Sequence, residues 1–82
     1  MQTILVCDDD KEIVEAIEIY LQQEGFHVLK AYDGEEALEI LKNNEVHLLI
    51  MDVMMPKLDG LQVLTVLREQ GVATPVLLLT AK

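Results

Sequence analysis

The chain has 82 residues, which is enough for one small domain and too few for a multidomain enzyme. Fifteen acidic residues against six lysines and arginines give a net charge of −9, the wrong sign for direct binding to nucleic-acid phosphates or anionic lipid. The apolar runs are far shorter than the ~20 residues of a membrane-spanning helix, and no secretory signal pattern opens the sequence, so we expect a cytoplasmic protein without a membrane partner.

Four short apolar runs predict the strands of a sheet. They are Ile4–Cys7, Phe26–Ala31, Leu48–Met51 and Val76–Leu79. The first, third and fourth runs are continuously apolar, which is typical of parallel strands covered on both faces. The second contains His27 and Lys30 and is therefore predicted to lie at an edge of the sheet.

Amphipathic segments between these runs predict helices, the first over about residues 11 to 24 with Gly25 as its stop. Five apolar residues form one face of this first helix: Ile13, Val14, Ile17, Tyr20 and Leu21. Glu12, Glu15, Glu18 and Gln22 lie on the opposite side, so we expect the apolar face to pack on the sheet.

Turn and capping residues predict two further helices. Asp33 and Glu36 resemble a capping box ahead of the second helix. Asp59-Gly60 forms a turn that can cap a third helix, which carries leucines at positions 61, 64 and 67 and ends at Gly71.

Right-handed crossover connections fix the topology of this alternating α/β pattern. With the second strand at the edge beside the first, the strand order becomes 2-1-3-4. Helix 1 then lies on one face of the sheet, and helices 2 and 3 lie on the other. The chain reverses direction between strands 1 and 3, and ligands bind parallel sheets at such a switch point, outside the carboxyl ends of the strands.

Acidic residues follow two of the strands that meet at this point. Strand 1 ends in Asp8-Asp9-Asp10, strand 3 ends in Asp52, and strand 4 ends in Thr80. Converging carboxylates raise one another's pKa and favour a cation. An all-oxygen site suits Mg²⁺ or Mn²⁺ rather than Zn²⁺. The two histidines, His27 and His47, lie away from the carboxyl ends of the strands, and Cys7 is interpreted as a core residue.

A metal beside an exposed carboxylate suggests phosphoryl transfer with Asp52 as the nucleophile and Thr80 as a ligand of a phosphoryl oxygen. The alternative is that Asp8, Asp9 and Asp10 only cap helix 1, and for Asp10 we expect capping alone. A phosphatase-like hydrolase is disfavoured, because the residues after Asp52 do not supply the Asp-x-Asp pair of those enzymes.

Four motifs in this order resemble a bacterial response-regulator receiver domain over the whole chain. They are Ile4–Asp10, Tyr32–Leu38, Leu48–Pro56 followed by Asp59-Gly60, and Pro75–Lys82. The resemblance implies a flavodoxin-like (CheY-like) fold and a domain that is not an enzyme, although such receivers can catalyse their own phosphorylation and dephosphorylation.

The resemblance also implies roles for individual residues. Asp52 accepts a phosphoryl group from a phosphohistidine of a sensor histidine kinase, and Thr80 contacts that group. Asp9, Asp52 and the backbone carbonyl of Met54 bind Mg²⁺ directly, whereas Asp8 acts through water. The implied source is a two-component transcription regulator with a DNA-binding output domain.

One departure from the family pattern lies beyond strand 4. Similar receivers continue with a fourth helix, a fifth strand carrying a lysine, and a fifth helix, so residues 1–82 are interpreted as a single truncated receiver domain. Strand 4 then forms an apolar edge, and we expect a homodimer or higher oligomer. The alternative function is an assembly fragment that folds by association and lacks competent phosphosignalling.

Overall fold

Four parallel strands alternate with three helices in the computed structural model, which describes residues 1–54 and 59–79. The strands are β1 (Thr3–Cys7), β2 (His27–Ala31), β3 (Leu48–Asp52) and β4 (Val76–Leu79). The helices are α1 (Lys11–Gln23), α2 (Gly34–Asn43) and α3 (Gly60–Glu69). None of these described helices combines the length and apolar character that crossing a bilayer requires.

The sheet has the order β2-β1-β3-β4, which confirms the order predicted from right-handed crossovers. The two most buried strands, β1 and β3, lie in its centre and are paired in register from Ile4↔Leu48 to Cys7↔Met51. β2 lies at one edge, as predicted, with His27 and Lys30 exposed. The carboxyl ends of all four strands therefore point the same way, and those of β1 and β3 are neighbours.

Alternate residues of the central strands build two cores on opposite faces of the sheet. One core joins Leu5 and Leu49 to buried residues of α2 and α3, among them Ala37 and Leu67. The other joins Ile4, Val6 and Ile50 to Val14 of α1. This division confirms the predicted layering, with α1 on one face and α2 and α3 on the other.

The prediction that five apolar residues of α1 pack on the sheet is wrong for two of them, Ile13 and Tyr20. Val14 is fully buried, and Ile17 and Leu21 pack against the same core. Ile13 is 43% exposed and Tyr20 is 62% exposed, because they lie on the flank of the helix that turns away from the sheet. In α3, likewise, Leu61 lies outside the buried stripe, which is formed by Gly60, Val63 and Leu67.

Acidic residues cap the helices much as the sequence predicts. Oδ1 of Asp33 accepts a hydrogen bond from the Glu36 amide at 2.8 Å, but the Glu36 carboxylate accepts from the amide of Tyr32, the residue before the cap. The full capping box is that of Asp59 and Gln62, in which each side chain accepts from the other residue's amide.

β4 forms the second edge of the sheet within the described residues. It pairs with β3 from Leu49↔Val76 to Asp52↔Leu79, and Leu77 beside Ile50 is 52% exposed. The exposed apolar side chain agrees with the predicted edge. Self-association through this edge stays a prediction.

Candidate functional site

The carboxylates at the ends of the two central strands converge. Asp8 follows β1 and Asp52 closes β3, and the in-register pair Cys7↔Met51 brings these two ends side by side. Asp8, Asp9 and Asp52 each offer a carboxylate oxygen, and these oxygens all lie within 4.8 Å of one another. The cluster predicted from the strand ends is therefore present in the structure.

Asp8 is the most deeply placed member of this cluster, with only 4% of its surface exposed. Its backbone amide continues the β1–β2 ladder by donating to the carbonyl of Ala31 at 3.2 Å. Burial raises the pKa of the Asp8 carboxyl, and the neighbouring carboxylates of Asp52 and Asp9 raise it further, against the opposing effect of a hydrogen bond from the Asp10 amide. A cation between these carboxylates would relieve both the burial cost and the repulsion.

Asp52 is partly buried at the carboxyl end of β3, where its side chain is oriented by the next turn of the chain. Its Oδ1 accepts a hydrogen bond from the backbone amide of Met54 at 3.0 Å. The peptide between them is tied to the neighbouring strand, since the amide of Val53 donates to the carbonyl of Leu79 at 3.0 Å. One carboxylate oxygen is thus held by the backbone, and Oδ2 is not committed to that bond.

Asp10 has a different role from its two neighbours. It is the N-cap of α1, and its Oδ1 accepts hydrogen bonds from the amides of Glu12 at 3.0 Å and Ile13 at 3.4 Å. Asp10 does not belong to the carboxylate cluster, whereas Asp8 and Asp9 do. The capping interpretation therefore holds for Asp10 alone, as expected from the sequence.

The donor set of the cluster suits a hard cation. Its three members supply oxygen only. Burial, followed by the nearby carboxylates beginning with Asp33, raises the pKa of the Cys7 thiol to about 12, and Cys7 is not a member of the cluster. His47 lies at the opposite end of the sheet, where its Nδ1 accepts from the Thr3 amide at 2.9 Å. The residues present suit Mg²⁺ or Mn²⁺ better than Zn²⁺.

One feature of the site escaped the sequence prediction, which treated Gly60 only as part of a turn. The Gly60 amide donates to the carbonyl of Val53 at 3.0 Å, so the start of α3 lies against the backbone that follows Asp52. A Cβ atom on Gly60 would lie 2.6 Å from the carbonyl oxygen of Asp52. The Asp59-Gly60 pair was the only sequence signal for this contact.

Thr80, the predicted phosphoryl ligand, lies outside the described residues. The residue before it, Leu79, is paired in register with Asp52. The role of Thr80 as a phosphoryl ligand therefore stays a prediction.

Comparison with known proteins gives one consistent family. The sequence model of the response regulator receiver domain matches residues 4–82. The chain is 46% identical over 79 residues to the Bacillus subtilis alkaline phosphatase synthesis transcriptional regulatory protein PhoP, covering 96% of the chain and 33% of that protein. It is 46% identical over 82 residues to the Escherichia coli transcriptional regulatory protein CpxR, covering 100% of the chain and 34% of that protein. The chain thus spans about a third of the length of these curated relatives.

Solved structures agree in fold. The receiver domain of the Francisella response regulator 1452 superimposes with a TM-score of 0.95 at 40% identity, covering 99% of this chain and 67% of that one. The Thermotoga maritima response regulator TrrA, solved in complex with Mg²⁺-BeF, superimposes with a TM-score of 0.93 at 38% identity, covering 100% of this chain and 71% of that one.

Proposed function

Because this chain belongs to the response regulator receiver domain family, we propose that Asp52 accepts a phosphoryl group from a phosphohistidine of a sensor histidine kinase. The observation that carries the proposal is the convergence of oxygens from Asp8, Asp9 and Asp52 within 4.8 Å at the carboxyl ends of β1 and β3. A partly buried carboxylate beside two others is arranged to react with a phosphoryl group once its negative charge is balanced.

The same carboxylates are proposed to hold a divalent cation, Mg²⁺ or Mn²⁺. Asp9, Asp52 and the backbone carbonyl of Met54 are its direct ligands in this proposal, and Asp8 acts through water. The raised pKa of Asp8 supports a cation here, because this buried carboxyl lies beside two other carboxylates. When bound, the ion supplies positive charge that offsets the charge of the phosphoryl oxygens.

The transfer itself exchanges one bond for another. An oxygen of Asp52 forms a bond to phosphorus while the P–N bond to the kinase histidine breaks. The histidine nitrogen keeps that electron pair and takes up a proton. The Met54 amide holds Oδ1 of Asp52, so we assign the attack to Oδ2 and propose that Thr80 binds a phosphoryl oxygen.

The product is an acyl phosphate on the protein rather than a released compound, which is the behaviour of a signalling domain. The curated relatives are transcriptional regulators about three times as long as this chain. We therefore propose that phosphorylation of Asp52 controls a DNA-binding output region of the protein that carries this domain.

Intact mass after incubation with a small phosphodonor such as acetyl phosphate tests the proposal. We expect a single phosphoryl adduct that needs Mg²⁺ and is lost in Asp52→Asn. Asp33→Asn is the matched control, because it removes the same charge from an α2 cap outside the carboxylate cluster and should keep the adduct. Thr80→Ala should slow adduct formation without abolishing it.

Absence of an adduct on the folded protein in Mg²⁺ would overturn the phosphoacceptor role. It would favour the alternative that the chain is an assembly fragment whose acidic cluster binds metal without phosphotransfer.

A further inference from the structure

We propose that Gly60 is a positioning residue for the site, because its missing side chain lets the start of α3 lie directly against the backbone of Asp52 and Val53. The inference rests on the proposed roles of Asp52 and the Met54 carbonyl. It adds a residue that touches neither the cation nor the phosphoryl group in that proposal.

The steric observation comes first. A Cβ atom on Gly60 would lie 2.6 Å from the carbonyl oxygen of Asp52 and 2.9 Å from the Cα atom of Val53. Real Cβ atoms essentially never approach another heavy atom within 3.0 Å. Both of the atoms it would meet belong to the backbone, so rotation of a flexible side chain cannot relieve the collision. Either α3 or the peptide after Asp52 would have to move.

Backbone conformation does not explain a glycine at this position. Gly60 is the first residue of α3 and is not among the described glycines with a positive φ, which are Gly25 at 91° and Gly71 at 78°. Alanine forms helices more readily than glycine, so helix propensity favours Ala at position 60. Gly25 and Gly71 differ from Gly60 in both respects. Their φ angles are positive, and nothing lies within 4 Å of a Cβ atom built at either position. Gly60 is required by space, and the other two are required by conformation.

Hydrogen bonds connect this contact to the site. The Gly60 amide donates to the carbonyl of Val53 at 3.0 Å, and the Val53 amide donates to the carbonyl of Leu79 at 3.0 Å. Val53, the residue that follows Asp52, is thus held from α3 on one side and from β4 on the other. The next amide, that of Met54, orients Oδ1 of Asp52 at 3.0 Å. Displacement of this turn would change the direction of the Asp52 carboxylate and of the Met54 carbonyl together.

The test compares Gly60→Ala with Gly71→Ala, using isothermal titration calorimetry with Mg²⁺ alone and urea unfolding in the presence of a chelator. We expect Gly60→Ala to weaken Mg²⁺ binding about tenfold or more, as is usual when a group that orients metal ligands is disturbed. Gly71→Ala introduces strain at the far end of α3 and should lower stability while keeping Mg²⁺ affinity within about twofold. Wild-type affinity in Gly60→Ala, or affinity that falls equally in both variants, would overturn the proposal.

Hydrogen exchange in the unmodified protein keeps the proposal testable if Gly60→Ala does not fold. The Gly60 amide should exchange more slowly with Mg²⁺ than without it, because the cation and the Gly60 contact hold the same turn. An unchanged exchange rate in a protein that binds Mg²⁺, or no Mg²⁺ binding by the unmodified protein, would refute the positioning role. Failure of the proposed function has a separate signature, which is Mg²⁺ binding without a phosphoryl adduct.

Discussion

The backbone amide of Asp10 donates a hydrogen bond to Oδ1 of Asp8 at 2.9 Å, so the residue that caps α1 also holds the most buried carboxylate of the site. One hydrogen bond thereby joins the start of a helix to the charge cluster. This bond needs an acceptor oxygen in the side chain at position 8. The amide oxygen of an asparagine would supply such an acceptor, as the carboxylate does.

Asp8→Asn should therefore stabilise the metal-free protein at neutral pH by about 1 kcal/mol, because it retains the acceptor and removes a buried, repelled charge. The same substitution should weaken Mg²⁺ binding. Urea unfolding in a chelator and calorimetric titration with Mg²⁺ measure the two effects. The control is Asp33→Asn, which removes a charge outside the cluster; a less stable metal-free Asp8→Asn would contradict the prediction.

The pH dependence of this stabilisation has a definite sign. Burial and the neighbouring carboxylates raise the pKa of Asp8 in the folded state above its unfolded value. A raised pKa favours folding below the unfolded pKa, and this contribution is lost as pH rises through the folded pKa. The stability advantage of Asp8→Asn in chelator should thus be small in acid and grow toward neutral pH. Urea titrations across this range check it, and an advantage that shrinks with rising pH would exclude the explanation.

Cys7 should be inert in the folded protein. Burial, together with the carboxylates nearby, of which Asp33 has the largest effect, raises the pKa of its thiol to about 12, and the thiol also donates to the Asp33 carbonyl at 3.4 Å. Because alkylation needs an accessible thiolate, iodoacetamide at neutral pH should leave the native protein unmodified. Mass spectrometry measures the modification, with the urea-unfolded protein as the reactive control. Modification of the native protein at the unfolded rate would show that the thiol is accessible.

Arg68 is expected to stabilise the fold without affecting the site. Its guanidinium donates to the carbonyls of Val72 at 2.6 Å and Thr74 at 3.1 Å, which fixes the connection from α3 to the amino end of β4. Arg68→Met should lower the free energy of unfolding by about 1 kcal/mol, because both carbonyls lose a charged donor. Phosphoryl adduct formation should persist, since this connection lies at the amino ends of the strands and the carboxylates lie at the carboxyl ends.

A matched comparison with Arg68→Lys separates geometry from charge. Lysine keeps the charge but lacks the planar fork that reaches two carbonyls, so it should recover only part of the lost stability. Full recovery would mean that charge alone accounts for the effect.

The convergence of Asp8, Asp9 and Asp52 could be predicted because it depends on topology and not on side-chain detail. Once His27 and Lys30 placed β2 at an edge, right-handed crossovers made β1 and β3 neighbours. Parallel strands have their carboxyl ends at the same side of the sheet, so residues that follow two neighbouring strands must meet.

The contact of Gly60 with Asp52 could not be predicted, because it depends on how closely α3 approaches β3. A glycine after an aspartate is an ordinary turn signal, and nothing in the local sequence separates a glycine needed for φ from one needed for space. The exposure of Ile13 and Tyr20 has a similar cause. Helical periodicity gives the direction of an apolar face, but the packed neighbours decide how much of its margin they cover.

The pairing of His47 with Thr3 fixes the chemical form of a histidine. Thr3 donates its amide to Nδ1 of His47 at 2.9 Å and accepts from the His47 amide at 2.8 Å, so the ring proton must reside on Nε2. The bond from the Thr3 amide is the first of the central strand pair. The strands are five residues long, which separates this ring from the aspartates by roughly 16 Å along the sheet. The first bond of the central strand pair therefore depends on an imidazole at one end of the sheet, whereas the candidate metal site is built from carboxylates at the other end.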